Sequence, residues 1–179
     1  MTQDREQPDI ETMDDGTDEG LLPPRPSGWS DALTGTDGPR LWDRLVSSEL
    51  ARVRRYHRPA TVVLVEIAGL ESFARLWGAD VAERTFVKLA RTLAVEIRSS
   101  DHIARIDRAR FAIMLTETDE IAAINFVERA RTACERHLSA PSATIQVAMG
   151  WASPNSTSDL RAAIDIAERR LAHESESLG

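Results

Sequence analysis

Between residues 98 and 115 the chain reads RSSDHIARIDRARFAIML, and this stretch constrains the fold more than any other. Two short apolar runs, residues 102–106 and 111–115, flank the polar step Asp107-Arg108-Ala109-Arg110. Apolar, β-branched residues on both sides of a tight polar connection predict a β-hairpin. The connection holds no glycine, the residue that tight hairpin turns prefer. Just upstream, Arg98-x-x-Asp101 sets a guanidinium and a carboxylate on adjoining turns. The turn chemistry and this pair are what a function must account for.

A hairpin needs further strands and a covering layer, and the sequence supplies both. Residues 61–68, TVVLVEIA, are almost all apolar and β-branched, as in a central strand buried on both faces. Glu66 near its end is the exception, and a carboxylate there belongs at an edge or in a site. A helix is expected from Pro39 to about Tyr56, stopped by Pro59. Further helices are expected over 70–77, 80–97, 120–138 and 158–172, each with apolar residues at helical spacing. A last strand is expected over 143–151. Interspersed helices around an antiparallel hairpin make the fold class α+β, a central sheet flanked by helices.

Charge divides the chain. Residues 1–30 hold eight acidic side chains against Arg5 and Arg25, so nearly all of the net charge of −7 sits there. This stretch has few large apolar groups, and is expected to be a disordered acidic tail ahead of a domain over 31–179. Leu21-Leu22-Pro23-Pro24 within it reads either as a short docking motif or as solvated tail. The domain itself is close to neutral, which argues against nucleic acid as a partner. The single cysteine, Cys134, fits a reducing compartment, and with no apolar run near the ~20 residues of a membrane span the expected location is the cytoplasm.

Much familiar chemistry is missing. There is no Walker-type loop, no Gly-x-Gly-x-x-Gly after a strand and no Gly-x-Ser-x-Gly elbow. His57, His102, His137 and His173 lack metal-ligand spacing. Cys134 and His137 lie one helical turn apart, as a thiolate–imidazole pair would, but Cys134 belongs to an apolar stripe and reads instead as a buried structural thiol. The basic helix end, Arg52, Arg54, Arg55, His57 and Arg58 around Tyr56, suits phosphate contacts or simply the negative end of a helix dipole.

Taken together, the segments resemble the GGDEF family of diguanylate cyclases, bacterial signalling enzymes, over about residues 31–172. Asp31-Ala32-Leu33-Thr34-Gly35, with Arg40 after it, resembles the family's D-x-L-T-G-L-x-N-R-R opening. Arg55-Tyr56-His57-Arg58-Pro59 resembles its basic helix end, Val65-Glu66-Ile67-Ala68 its D-x-D strand end, and Gly78 the glycine of its G-H-x-x-G-D segment. Arg98-x-x-Asp101-x-x-x-Arg105-x, followed by residues 107–111, stands where the signature hairpin does.

The resemblance implies a degenerate active site. Asp107 and Arg108 replace the two glycines that admit GTP, Ala109 replaces an acidic metal ligand, and Arg110 replaces the glutamate with a cation. Glu66 keeps an acid at the first metal-ligand position, whereas Ala68 replaces the second aspartate. The asparagine that reads guanine falls on Ala74, the helix lysine on Glu71, and the G-D pair on Ala82 and Glu83. Two Mg²⁺ ions on a triphosphate need converging hard-oxygen ligands, so the expectation is no enzyme activity, no metal and no cofactor. Arg98 and Asp101 keep the spacing of the family's inhibitory site for cyclic di-GMP. A guanidinium can donate to guanine O6 and N7, and a carboxylate can accept from its N1–H and N2–H edge. The competing reading makes Asp101 a helix-end cap beside a solvated Arg98. Three functions follow: a catalytically inactive cyclic di-GMP receptor, a ligand-free protein-interaction module, or residual nucleotide chemistry on Glu66 alone. A homodimer is implied by the family's two half-sites.

Overall fold

The computed structural model describes residues 20–138, 145–154 and 159–178. The elements run α1 (Pro39–Tyr56), β1 (Ala60–Ile67), α2 (Leu70–Trp77), α3 (Ala79–Glu96), β2 (His102–Arg105), β3 (Arg110–Thr116), α4 (Glu120–Leu138), β4 (Val147–Ala152) and α5 (Leu160–Leu178). The four strands form one sheet in the order β2-β3-β1-β4, every neighbour antiparallel. This is the expected α+β architecture, with the expected element order.

β1 shows why the sheet is covered on both faces. Its side chains alternate, and both sets are apolar. Val63, Val65 and Ile67 meet Phe86, Leu89 and Leu93 of α3 and Phe126 and Val127 of α4 in one core. Val62 and Leu64 meet Trp42 and Val46 of α1 and Leu160, Ala167 and Leu171 of α5 in the other. At Gly150 of β4 a Cβ would collide with the backbone of Ala167 and Leu171, so glycine is what lets α5 lie directly on the strand.

The hairpin closes without glycine for a physical reason. The Ile106 N–H donates to the Arg110 carbonyl at 3.0 Å, and no residue of the turn has a positive φ. L side chains therefore occupy it without strain. Glycine is needed elsewhere: Gly35 closes the 31–35 turn at φ 73°, where the Asp31 carboxylate accepts from the N–H and hydroxyl of Thr34.

Both sheet edges are covered. Asp37 bridges to the outer edge of β2, donating to Ile103 and accepting from Arg105 at 3.0 and 2.9 Å. Along the outer edge of β4, Arg131 donates to the Val147 carbonyl at 3.1 Å and the Met149 N–H donates to Glu174 at 2.6 Å. Arg170 donates to the Trp151 carbonyl on the same edge.

Some boundaries shift. The expected strand start at residues 143–144 and the helix start at Ser158 lie outside the described residues. Asp159 caps α5, accepting the N–H groups of Arg161 and Ala162 at 3.0 and 3.1 Å. The Ala162 N–H, first among its neighbours, holds that carboxyl below the usual aspartate value. The cap is thus present above the ordinary aspartate titration and lost as pH falls through the lowered folded value. α5 continues six residues past Ala172, because nothing in HESESL breaks a helix.

Of the expected tail, residues 1–19 lie outside the described residues. Residues 20–30 have defined places: Leu21 and Leu22 pack on the α3/α4 core, Pro23 is buried, and Ser30 bridges to Asp37.

Candidate functional site

Register brings the site together. β1 and β3 pair so that Glu66 stands opposite Arg110. Arg110 donates through Nε and Nη2 to the same Glu66 oxygen, at 3.2 and 3.1 Å. The carboxylate that the strand end presents is therefore neutralised by the guanidinium of the hairpin. Beside Glu66 lies a cleft of about 320 Å³, lined by residues of β1 and α2 from Glu66 to Ser72 together with Leu22, Ala109 and Ser175.

The turn itself is tied down. Asp107 accepts the Arg108 N–H at 2.7 Å and pairs with Arg25 at 2.7 Å. Ala109 packs against the core rather than offering an oxygen. Ala74, at the position of a guanine-reading side chain in the resemblance, is buried in the α3/α4 core. Ala68 donates its backbone N–H to Gln146 at 3.0 Å and has no side-chain donor to add. Among the described residues no three His, Cys, Asp or Glu side chains converge as metal ligands would.

Behind the turn Arg105 is 1 % exposed. It donates to Asp31 at 3.1 Å, to the Pro24 carbonyl at 2.7 Å and to the Arg108 carbonyl at 2.9 Å. Its guanidinium lies 5.2 Å from the centroid of the Phe86 ring, which in turn stacks on Phe111 at 4.6 Å. Nε alone has no partner. Arg105 thus joins the N-terminal segment, the 31–35 turn and the hairpin tip in one buried network.

Arg98 and Asp101 lie at the other end of the hairpin, about 20 Å from the tip at ~3.4 Å per strand residue. Asp101 accepts the Arg98 N–H at 3.0 Å and the Thr116 N–H at 3.1 Å, one on each oxygen. The Thr116 hydroxyl adds a longer contact at 3.4 Å. Its carboxylate caps the α3–β2 loop and fastens it to the end of β3. The Arg98 side chain is exposed.

Other candidates resolve simply. Burial, with Glu96 nearby, pushes the Cys134 thiol up to about 12, and His137 is exposed while Cys134 is buried; the thiol is unreactive at neutral pH. In the basic helix end Arg52 pairs with Glu49, Arg54 with Asp159 and Arg58 with Glu117. Leu22 and Pro24 belong to the Leu21-Leu22-Pro23-Pro24 step that the sequence offers as a docking motif, whereas Arg25, which reaches Asp107, carries no local signal.

A comparison with protein families matches residues 29–177 to "Diguanylate cyclase, GGDEF domain". Among curated proteins, DgcC of Escherichia coli, named a probable diguanylate cyclase, is 30% identical over 127 residues, covering 70% of this chain and 34% of its own. The diguanylate cyclase DosC of E. coli is 26% identical over 145 residues, 79% of this chain and 32% of its own. The chain thus spans about a third of the length of these relatives. Among solved structures, the GGDEF domain of Caulobacter crescentus DgcB in complex with c-di-GMP has a TM-score of 0.77 at 15% identity, covering 84% of this chain and 92% of that one. Pseudomonas aeruginosa SiaD in complex with its activator SiaC has a TM-score of 0.75 at 20% identity, covering 83% and 58%. At these identities the structural likeness speaks for the fold alone.

Proposed function

The chain belongs to the GGDEF, diguanylate cyclase, family, and we propose that it is a member that acts by binding rather than by cyclising GTP. The observation that carries this reading is the Arg110–Glu66 pair. A divalent cation at Glu66 has to displace a guanidinium 3.1 Å away, and finds Ala68 and Ala109 where further oxygens are needed. Losing a positioned metal in phosphoryl transfer forfeits several kcal/mol of transition-state stabilisation, and each ~1.4 kcal/mol is tenfold in rate. Incubation with GTP and Mg²⁺ is expected to yield no cyclic dinucleotide. Product above a no-protein control ends the reading.

What the domain binds is then a protein, in the first instance. The cation-bearing tip, closed by side chains on both flanks, suits a cytoplasmic interaction module, and the SiaD–SiaC complex is a structural neighbour in which a GGDEF protein holds an activator. A second reading, a cyclic di-GMP receptor through Arg98 and Asp101, is favoured by their spacing and by neighbours described in complex with c-di-GMP. Because the Asp101 oxygens already accept backbone donors, the exposed Arg98 would supply the main contact. Calorimetry with cyclic di-GMP separates the two. Heat that vanishes in Arg98→Ala selects the receptor, and no heat selects the interaction module. Sedimentation tests whether either form works as a homodimer.

A further inference from the structure

Residues 21–25 dock beside the cleft at Glu66 and form part of its wall. Leu22 is one of its lining side chains, and with Leu21 it packs on the core beneath. Pro23 is buried, the Pro24 carbonyl accepts from the fully buried Arg105 at 2.7 Å, and Arg25 reaches Asp107 at 2.7 Å. Five consecutive residues therefore supply an apolar anchor, a backbone acceptor and a cation. The domain supplies the core beneath, the Arg105 donor and the Asp107 acid that match them. The two prolines fix φ and remove two N–H donors, so little ordering entropy opposes the extended course of the segment.

We infer that the face from the wall of this cleft to the hairpin tip is a peptide-docking surface, with residues 21–25 as its resident ligand held in cis. The inference rests on the reading that the neighbouring cleft does not serve GTP. Recognition runs in three steps along the segment: Leu21 and Leu22 on the core beneath, the Pro24 carbonyl on Arg105, and the Arg25 guanidinium on Asp107. Asp107, which the family resemblance marks as a lost glycine, is here the acid that selects a basic side chain. A partner's segment of the same leucine–proline–arginine character takes this face only after residues 21–25 have left it.

The test uses the full chain and NMR. In the unmodified protein the Leu22 methyls are expected to show cross-peaks to methyls of the core beneath, with backbone order at Leu22 and Arg25 equal to that of the hairpin. Leu22→Asp is expected to release the segment while the remaining spectrum is preserved. A labelled peptide copying residues 20–27 is then expected to bind Leu22→Asp at least tenfold more tightly than the unmodified chain. Adding Asp107→Arg is expected to remove that gain, and a peptide with glutamate in place of its arginine to restore it. Disorder at Leu22 in the unmodified chain, or a peptide that binds both chains equally or neither, overturns the inference. The two readings fail separately: a cyclic dinucleotide product overturns the non-catalytic function, whereas a mobile Leu22 without product overturns the docking surface.

Discussion

The two ends of the β2–β3 hairpin each present an arginine and a carboxylate, and the pairs do different work. At the root, Asp101 is 9 % exposed and takes backbone donors, leaving the Arg98 guanidinium to water. At the tip, Arg110 and Glu66, with side chains 36% and 19% exposed, take each other. One carboxylate is a structural fastener and the other a neutralised site. Side-chain types and spacing are the same kind of evidence at both ends. What distinguishes them is which donors the backbone leaves unpaired: a loop closing on a strand end has orphan N–H groups to satisfy, whereas paired strands have none.

Mutations grade this contrast. Arg105→Ala, in the buried network behind the tip, is expected to cost most, about 3–5 kcal/mol, because it leaves the buried Asp31 charge without its cation and removes three bonds. At roughly 2–4 °C per kcal/mol for a chain of this size, thermal denaturation should show a fall of at least about 6 °C; a fall within about 2 °C would mean that the network is not a joint. Asp101→Ala is expected to cost about 2–3 kcal/mol, since it leaves the buried Thr116 N–H without an acceptor. Asp101→Asn, which keeps one acceptor oxygen, should recover part of this in the same denaturation series.

At the tip the expected costs are smaller. Arg110→Ala should destabilise by no more than about 1 kcal/mol, because solvent screens a pair this exposed. A double-mutant cycle with Glu66→Ala measures the coupling, and a value above the cost of Asp101→Ala would reverse the assignment of fastener and site. Arg98→Ala should stay within about 0.5 kcal/mol. Any loss of cyclic di-GMP binding in that variant then reports on contact with the ligand, which Asp101→Ala cannot do because it also loosens the loop.

The core was readable from the sequence because its signals are local. Pro39 and Pro59 bracket α1, and TVVLVEI alternates into two cores. Val127, Ala130, Cys134 and Leu138 mark the buried face of α4, but Ile121 and Ile124, which continue that stripe in sequence, are exposed while Ala123 is buried in their stead. The chemistry at the tip was readable only as a list of positions. That Arg110 meets Glu66 depends on a strand register 44 residues apart in sequence, which no local pattern encodes. The burial of Arg105 was hidden because its partners are a distant aspartate and two carbonyls. Leu21-Leu22-Pro23-Pro24 stands out as a docking motif or a solvated tail, and only the structure shows that it packs on this domain, because its partners Arg105 and Asp107 lie about 80 residues away. Gly150 reads as an ordinary strand glycine until the backbone of α5 is seen against it.

Among the described residues Asp37 occupies one margin of the sheet while Arg131, Glu174 and Arg170 bond the other, which blunts both against addition of a strand from another chain. Self-association or capture of a client is thereby directed to side-chain surfaces, whose specificity point substitutions can retune.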